Sequence, residues 1–154
     1  MHGHRGRCAQ PAKKVVCVDL PRADLIEAFK AADLFVFASN VEYSPLVLFE
    51  AAASGTPFLS VPVGNAAEIA RWTAGGEICP AATDEHGYTR VDPSVLAREM
   101  CRLMNDADTR ARLAVDGKAR WRSRFTWKAI ASQYEAILAG SPVRETVVAG
   151  QDAP

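Results

Sequence analysis

The chain is 154 residues long, enough for one domain with a sizeable core, and its 49% hydrophobic and 23% charged content is that of a soluble globular protein. Eighteen basic residues balance eighteen acidic ones, so no net field favours nucleic acid as a partner. No apolar run nears the ~20 residues of a membrane-spanning helix, and Met1-His2-Gly3-His4-Arg5-Gly6-Arg7 lacks the apolar stretch of a signal peptide, so the expected location is the cytoplasm.

The first element expected is a short buried strand, Val15-Val16-Cys17-Val18, closed by Asp19. Pro21 and the run from Asp24 to Phe29 then open a helix reaching about Ala32, and Leu34 to Ala38 reads as the second strand. Ser44-Pro45 starts the next helix, with proline where a missing N–H costs nothing and Gly55 as a left-handed stop. Phe58-Leu59-Ser60-Val61 is the third strand. Asn65, with Glu68 three residues on, matches the capping box of a helix start, and that helix ends at Gly75-Gly76. Glu77-Ile78-Cys79 reads as a weak fourth strand, and residues 80–91 as a polar loop.

The remainder reads as helical. Asp92-Pro93 is a cap and first-turn proline before the apolar face of Val95, Leu96, Met100, Leu103 and Met104, and a second helix runs from about Asp108 to Arg122. Thr126 caps a third, whose apolar positions Trp127, Ile130, Ala131, Tyr134, Ile137 and Leu138 recur at helical spacing. The expected division is a disordered start over residues 1–14, an α/β domain over 15–140 with a Rossmann-like parallel sheet of about four strands and C-terminal helices, and a flexible tail over 141–154. Cys8, Cys17, Cys79 and Cys101 form no C-x-x-C pair and read as free thiols. His2 and His4 belong to the disordered start rather than to a metal site.

Glu42 and Glu50 bracket seven residues, and this E-x7-E unit runs into Ala51-Ala52-Ala53-Ser54-Gly55-Thr56-Pro57. Glu42 falls just past an apolar strand and Glu50 about two turns into the next helix, so both carboxylates are expected to face one crevice at the strand carboxyl ends, where open α/β sheets bind ligands. The unit, the following Val63-Gly64-Asn65 with Glu68, and Arg124-Phe125-Thr126-Trp127 at the start of the last helix resemble, in this order, the donor-binding half of GT-B glycosyltransferases, family 4 above all. The resemblance spans about residues 15 to 140.

That resemblance implies a hexosyltransferase lobe binding a nucleotide diphosphate sugar, with no cofactor and no metal ion. Glu50 matches the glutamate that holds the ribose. Glu42 matches the one beside the donor sugar and is the candidate catalytic residue, with Tyr43 next to it. Ser44, Leu46 and Val47 are candidates to offer amides to the diphosphate at the positive end of a helix, and Gly64 matches a glycine that lets backbone approach the ligand. Tyr43-Ser44-Pro45 replaces the family's glycine, aromatic, glycine, which leaves the sugar open. Glu68 has two readings, ligand contact and helix cap. Asp106-Ala107-Asp108 lies between helices and reads as a cap rather than a metal motif.

Residues 1–14 do not match the two upstream βα units that carry a phosphate-neutralising arginine and lysine in the family, and no segment of this sequence is expected to match the family's acceptor domain. The isolated chain is therefore expected to be a poor catalyst, working with an acceptor-domain chain or as a homo-oligomer. The strands at Val15 and Leu34 are expected either to pair directly or to leave a gap for another chain. Nine basic residues against four acidic ones between 98 and 128 read as a solvated helix face, with contact at an anionic membrane surface as the second reading. The alternative to an enzyme lobe is a non-catalytic α/β binding or assembly module.

Overall fold

A computed structural model describes residues 14–140; the expected disordered start, apart from Lys14, and the tail at 141–154 lie outside the described residues. The elements in chain order are α1 (Arg22–Ala31), β1 (Phe35–Phe37), α2 (Leu46–Ser54), β2 (Phe58–Ser60), α3 (Ala66–Thr73), β3 (Gly76–Ile78), β4 (Ala82–Thr83), β5 (Thr89–Arg90), α4 (Pro93–Asn105), α5 (Ala107–Arg124) and α6 (Trp127–Leu138). Strands β1, β2 and β3 form a parallel sheet in that order, with Phe35 opposite Phe58 and Phe58 opposite Gly76. The α/β class is as expected, with three strands instead of four.

The missing strand is the one expected at Val15–Val18. Residues 14–20 form no strand, and Val15, Val16 and Val18 are 58–76% exposed. A parallel strand is stable only when neighbours accept and donate its backbone hydrogen bonds. The segment makes no ladder with β1, whose outer edge stays unpaired among the described residues. The expected polar loop at 80–91 contains instead the antiparallel ribbon β4–β5, turned by Asp84 Oδ1, which accepts from the amides of His86 and Tyr88.

Alternate side chains of β2 enter two cores, as a strand covered on both faces requires. Phe58 packs with Phe29, Leu48, Ala51, Ala66 and Ile69 from α1, α2 and α3. Leu59 packs on the other face with Val61, Val63, Cys79, Leu103 and Leu113, beneath Val95, Leu96 and Met100 of α4. The second face is thus covered by α4 and the middle of α5, whereas α6 buries none of its residues. Trp127 and Leu138 are 86% and 85% exposed. No helix among the described residues is long and apolar enough to cross a membrane.

Helix ends follow local chemistry. Asp92 accepts from the Ser94 amide at 2.7 Å, Asp106 from the Thr109 amide at 2.9 Å and Thr126 from the Ala129 amide at 3.2 Å, each satisfying a first-turn donor. Gly55 is the left-handed stop of α2 at φ 78°, but α3 ends on left-handed Ala74, not on the glycines after it. Those glycines answer a different need. A Cβ on Gly76 would enter the Phe58 ring, and Gly75 meets the Gly117 backbone of α5 beside the Ala52 methyl of α2, so three small residues bring α2, α5 and the start of β3 close together.

Candidate functional site

The loops that leave the carboxyl ends of β1 and β2 are stitched together. Asn65 donates its amide to the Tyr43 carbonyl at 3.1 Å, and Gly64, at φ 53°, presses against the carbonyls of Glu42 and Tyr43 where no Cβ fits. The ribbon braces both loops from behind. Buried Thr89 donates its amide to the Asn40 carbonyl at 2.8 Å and its hydroxyl to the Pro62 carbonyl at 3.3 Å.

This stitching alters one expectation. The capping box of Asn65 and Glu68 does not form: the Asn65 amide is taken by Tyr43, its Oδ1 is buried with no hydrogen-bond partner, and Glu68 is exposed. The left-handed turn at Gly64 delivers Asn65 at φ −96° and ψ 25°, outside the extended region from which a cap side chain reaches the N2 or N3 amide. Capping therefore no longer accounts for Glu68. Asp106, by contrast, is spent on the cap of α5 as expected, and the Thr109 amide bond holds its carboxyl below the usual carboxylate range.

The candidate residues fall into two adjoining groups. Glu42, Tyr43 and Ser44 lie on the loop after β1, with Gly64 against their backbone. Glu42 is half-buried and its Oε1 accepts the Tyr43 amide at 3.0 Å, while the Tyr43 side chain is 90% exposed. Leu46, Val47 and Glu50 lie on α2, which begins after buried Pro45 with no side-chain cap and no acidic residue in its first turn. Its leading amides are thus free of side-chain partners, and the positive end of the helix is uncompensated.

Leu46 and Glu50 open into a groove of about 570 Å³ that also takes in Phe29, Phe49, Trp121, Phe125 and Trp127, with Arg22, Lys30 and Lys118 at its rim. Glu42, Tyr43, Ser44, Val47 and Gly64 do not line it, so the two glutamates do not share this one groove. Phe125 of the Phe-Thr-Trp segment packs tilted against Phe49 of α2, ring centres 5.0 Å apart, and stacks near Trp72 of α3 at 6.4 Å, which ties the start of α6 to the helix carrying Glu50. Sequence reasoning missed Arg22, whose Nη1 lies 2.8 Å from Glu50 Oε1. Its one visible signal was a cation at the first position of a helix, where the dipole disfavours it.

Several of the cations between 98 and 128 make contacts within the fold. Arg102 pairs with Glu99 at 2.9 Å and with Glu77 of β3, Arg110 donates to the Leu103 and Met104 carbonyls at the end of α4, and Arg124 lies over the Phe125 ring.

Residues 12–120 match the family model described as glycosyl transferases group 1. The chain belongs to that family. It is 30% identical over 125 residues to a D-inositol 3-phosphate glycosyltransferase of Corynebacterium efficiens, covering 81% of this chain and 27% of that protein. A D-inositol 3-phosphate glycosyltransferase of Thermobispora bispora is 32% identical over 117 residues, covering 76% and 25%. Among solved structures, the sucrose-phosphate synthase of Thermosynechococcus elongatus superposes with a TM-score of 0.56 at 27% identity, over 74% of this chain and 27% of that one. The chain thus spans about a quarter of the length of the curated relatives it matches. The family match takes in both glutamates and Gly64, whereas Phe125-Thr126-Trp127 lies beyond its last matched residue.

Proposed function

We propose that this chain is the donor-binding lobe of a glycosyltransferase, binding a nucleotide diphosphate sugar in the cytoplasm and serving hexosyl transfer together with an acceptor-binding domain. The observation that carries the reading is the family match across the E-x7-E unit, with Glu50 opening into a groove on a helix whose positive end is uncapped.

In this reading the ionised Glu50 accepts hydrogen bonds from the ribose hydroxyls, which are paired donors suited to a carboxylate. The amides of Ser44, Leu46 and Val47 face the diphosphate. As the bond from the anomeric carbon to the diphosphate oxygen breaks, negative charge gathers on that leaving group, and a fixed helix terminus stabilises it without reorganising. Glu42 and Tyr43 stand by the sugar, where Glu42 can accept from ring hydroxyls. Gly64 holds the second loop against them. The exposed apolar face of α6, Trp127, Tyr134, Ile137 and Leu138, receives the acceptor-binding domain; sedimentation of the isolated chain as a dimer would give that face to a second copy instead.

Calorimetric titration with uridine and guanosine diphosphates tests the site. Glu50→Gln should weaken binding of the preferred nucleotide by about 1–3 kcal/mol through loss of charge-assisted hydrogen bonds. Unchanged affinity would refute the ribose assignment.

A further inference from the structure

The ion pair between Arg22 and Glu50 is out of keeping with a stabilising role. Arg22 opens α1, where the helix dipole disfavours a cation, and its side chain is 65% exposed, where solvent screens such a pair and leaves it little worth to the fold. The neighbours it could reach on its own helix, Leu25 and Ile26, carry no charge, and Glu50 is its one ion-pair partner among the described residues. It reaches across to α2 instead. The reach is fixed by a buried anchor: Phe29, at the other end of α1, packs on Leu48 and Ala51 of α2, and its carbonyl accepts the buried Thr56 hydroxyl. The two helices are therefore held at the spacing that brings Nη1 to Oε1, and both side chains line the aromatic groove open to a ligand.

We propose that Arg22 is a positioning residue for the nucleotide, clamping one oxygen of Glu50 so that the other is presented to the ribose hydroxyls. This rests on the assignment of Glu50 to the ribose. A carboxylate has about four acceptor sites, so one bond to Arg22 leaves room for both hydroxyls, and it fixes a side chain whose torsions would otherwise be frozen only on binding. Arg22 is thus predicted to act on discrimination at the sugar more than on the fold.

The test uses the full chain and compares uridine and guanosine diphosphates with their 2′-deoxy counterparts by calorimetry. Arg22→Ala should weaken binding of the preferred ribonucleotide about tenfold, 1.4 kcal/mol, while changing the affinity for its deoxy form much less. Arg22→Lys should recover part of the loss, as a point charge replaces a planar fork. Adding Arg22→Ala to Glu50→Gln should cost nothing further, whereas a general structural defect would add. If Glu50→Gln weakens binding and Arg22→Ala leaves it unchanged or tightens it, the clamp is refuted and the ribose assignment stands. If Glu50→Gln is without effect, or the wild-type chain binds neither nucleotide, both fall together. Melting curves of Arg22→Ala and Arg22→Lys check that each is folded.

Discussion

Replacing Gly64 with alanine should be among the most damaging small substitutions in this chain, and its cost can be assembled from separate parts. A side chain at φ 53° enters the left-handed region, worth about 1–2 kcal/mol. The new Cβ would lie 2.6 Å from the Glu42 carbonyl oxygen and closer still to that of Tyr43. Both obstacles are backbone and cannot swing aside, so the loops must part, at the 1–3 kcal/mol typical of overpacking. Parting them also sacrifices the hydrogen bond from Asn65 to Tyr43, about 0.5–1.5 kcal/mol. Together these give about 2.5–6.5 kcal/mol, a large share of the 5–15 kcal/mol that holds a typical domain folded. Gly87 supplies the control: it has φ 80° but nothing within 4 Å of an added Cβ, so Gly87→Ala should lose only the left-handed term. Urea unfolding followed by tryptophan fluorescence measures both, and at about 1–3 kcal/mol per molar the midpoint of the Gly64 variant should fall by one to a few molar. Equal losses in the two variants would refute the claim that the loops meet at Gly64.

Ala74→Gly should stabilise the chain by about 1 kcal/mol, because it relieves a left-handed alanine at the end of α3; a lower urea midpoint would count against that backbone geometry. Gly117→Ala should destabilise by about 1–2 kcal/mol despite alanine's better helix propensity, since its Cβ would lie 2.7 Å from the Gly75 Cα; a gain in stability would show that α5 can move away. Acid should weaken the fold below about pH 4: Arg102 lowers the Glu99 pKa, the Ser94 hydroxyl and amide lower that of Asp92, and the Thr109 amide lowers that of Asp106. Depressed folded-state values mean stability that is present above the unfolded pKa and lost as pH falls through the folded one, so melting temperature should drop there and be restored on neutralisation. Burial, with Glu99 adding to it, raises the Cys79 thiol, so a second loss should begin above about pH 8.5 and disappear in Cys79→Ala.

What could be read in the sequence was what depends on neighbours along the chain. The spacing of Glu42 and Glu50 placed them correctly on a loop and a helix, Gly55 stopped α2, and Asp92, Asp106 and Thr126 capped their helices, because each effect lies within one stretch of neighbouring residues. Features that depend on distant partners were not legible. Four apolar residues from Val15 look like a strand whether or not another strand is there to pair with them. Asn65 and Glu68 have capping-box spacing, but the hydrogen bond from Asn65 to Tyr43 decides otherwise. The two-residue strands of the ribbon are too short to show alternation, and the contact of Arg22 with Glu50 joins two helices that only tertiary packing brings together.

The meeting of Ala52, Gly75 and Gly117 has a consequence for how the groove can adapt. Helices that touch through side chains can slide past one another by small rotamer changes, but where α5 meets Gly75 it does so through bare backbone, with no side chain to yield. A shift of one turn would drive Leu113 or Trp121 into a gap that holds only a glycine. Shear of α5 past Gly75 is therefore opposed, and the backbone that carries Trp121 keeps its place relative to the start of β3. Accommodation of ligands of different size must come from rotation of the aromatic rings of Trp121, Phe125 and Trp127, or from displacement of α1 and α6 at the two open sides.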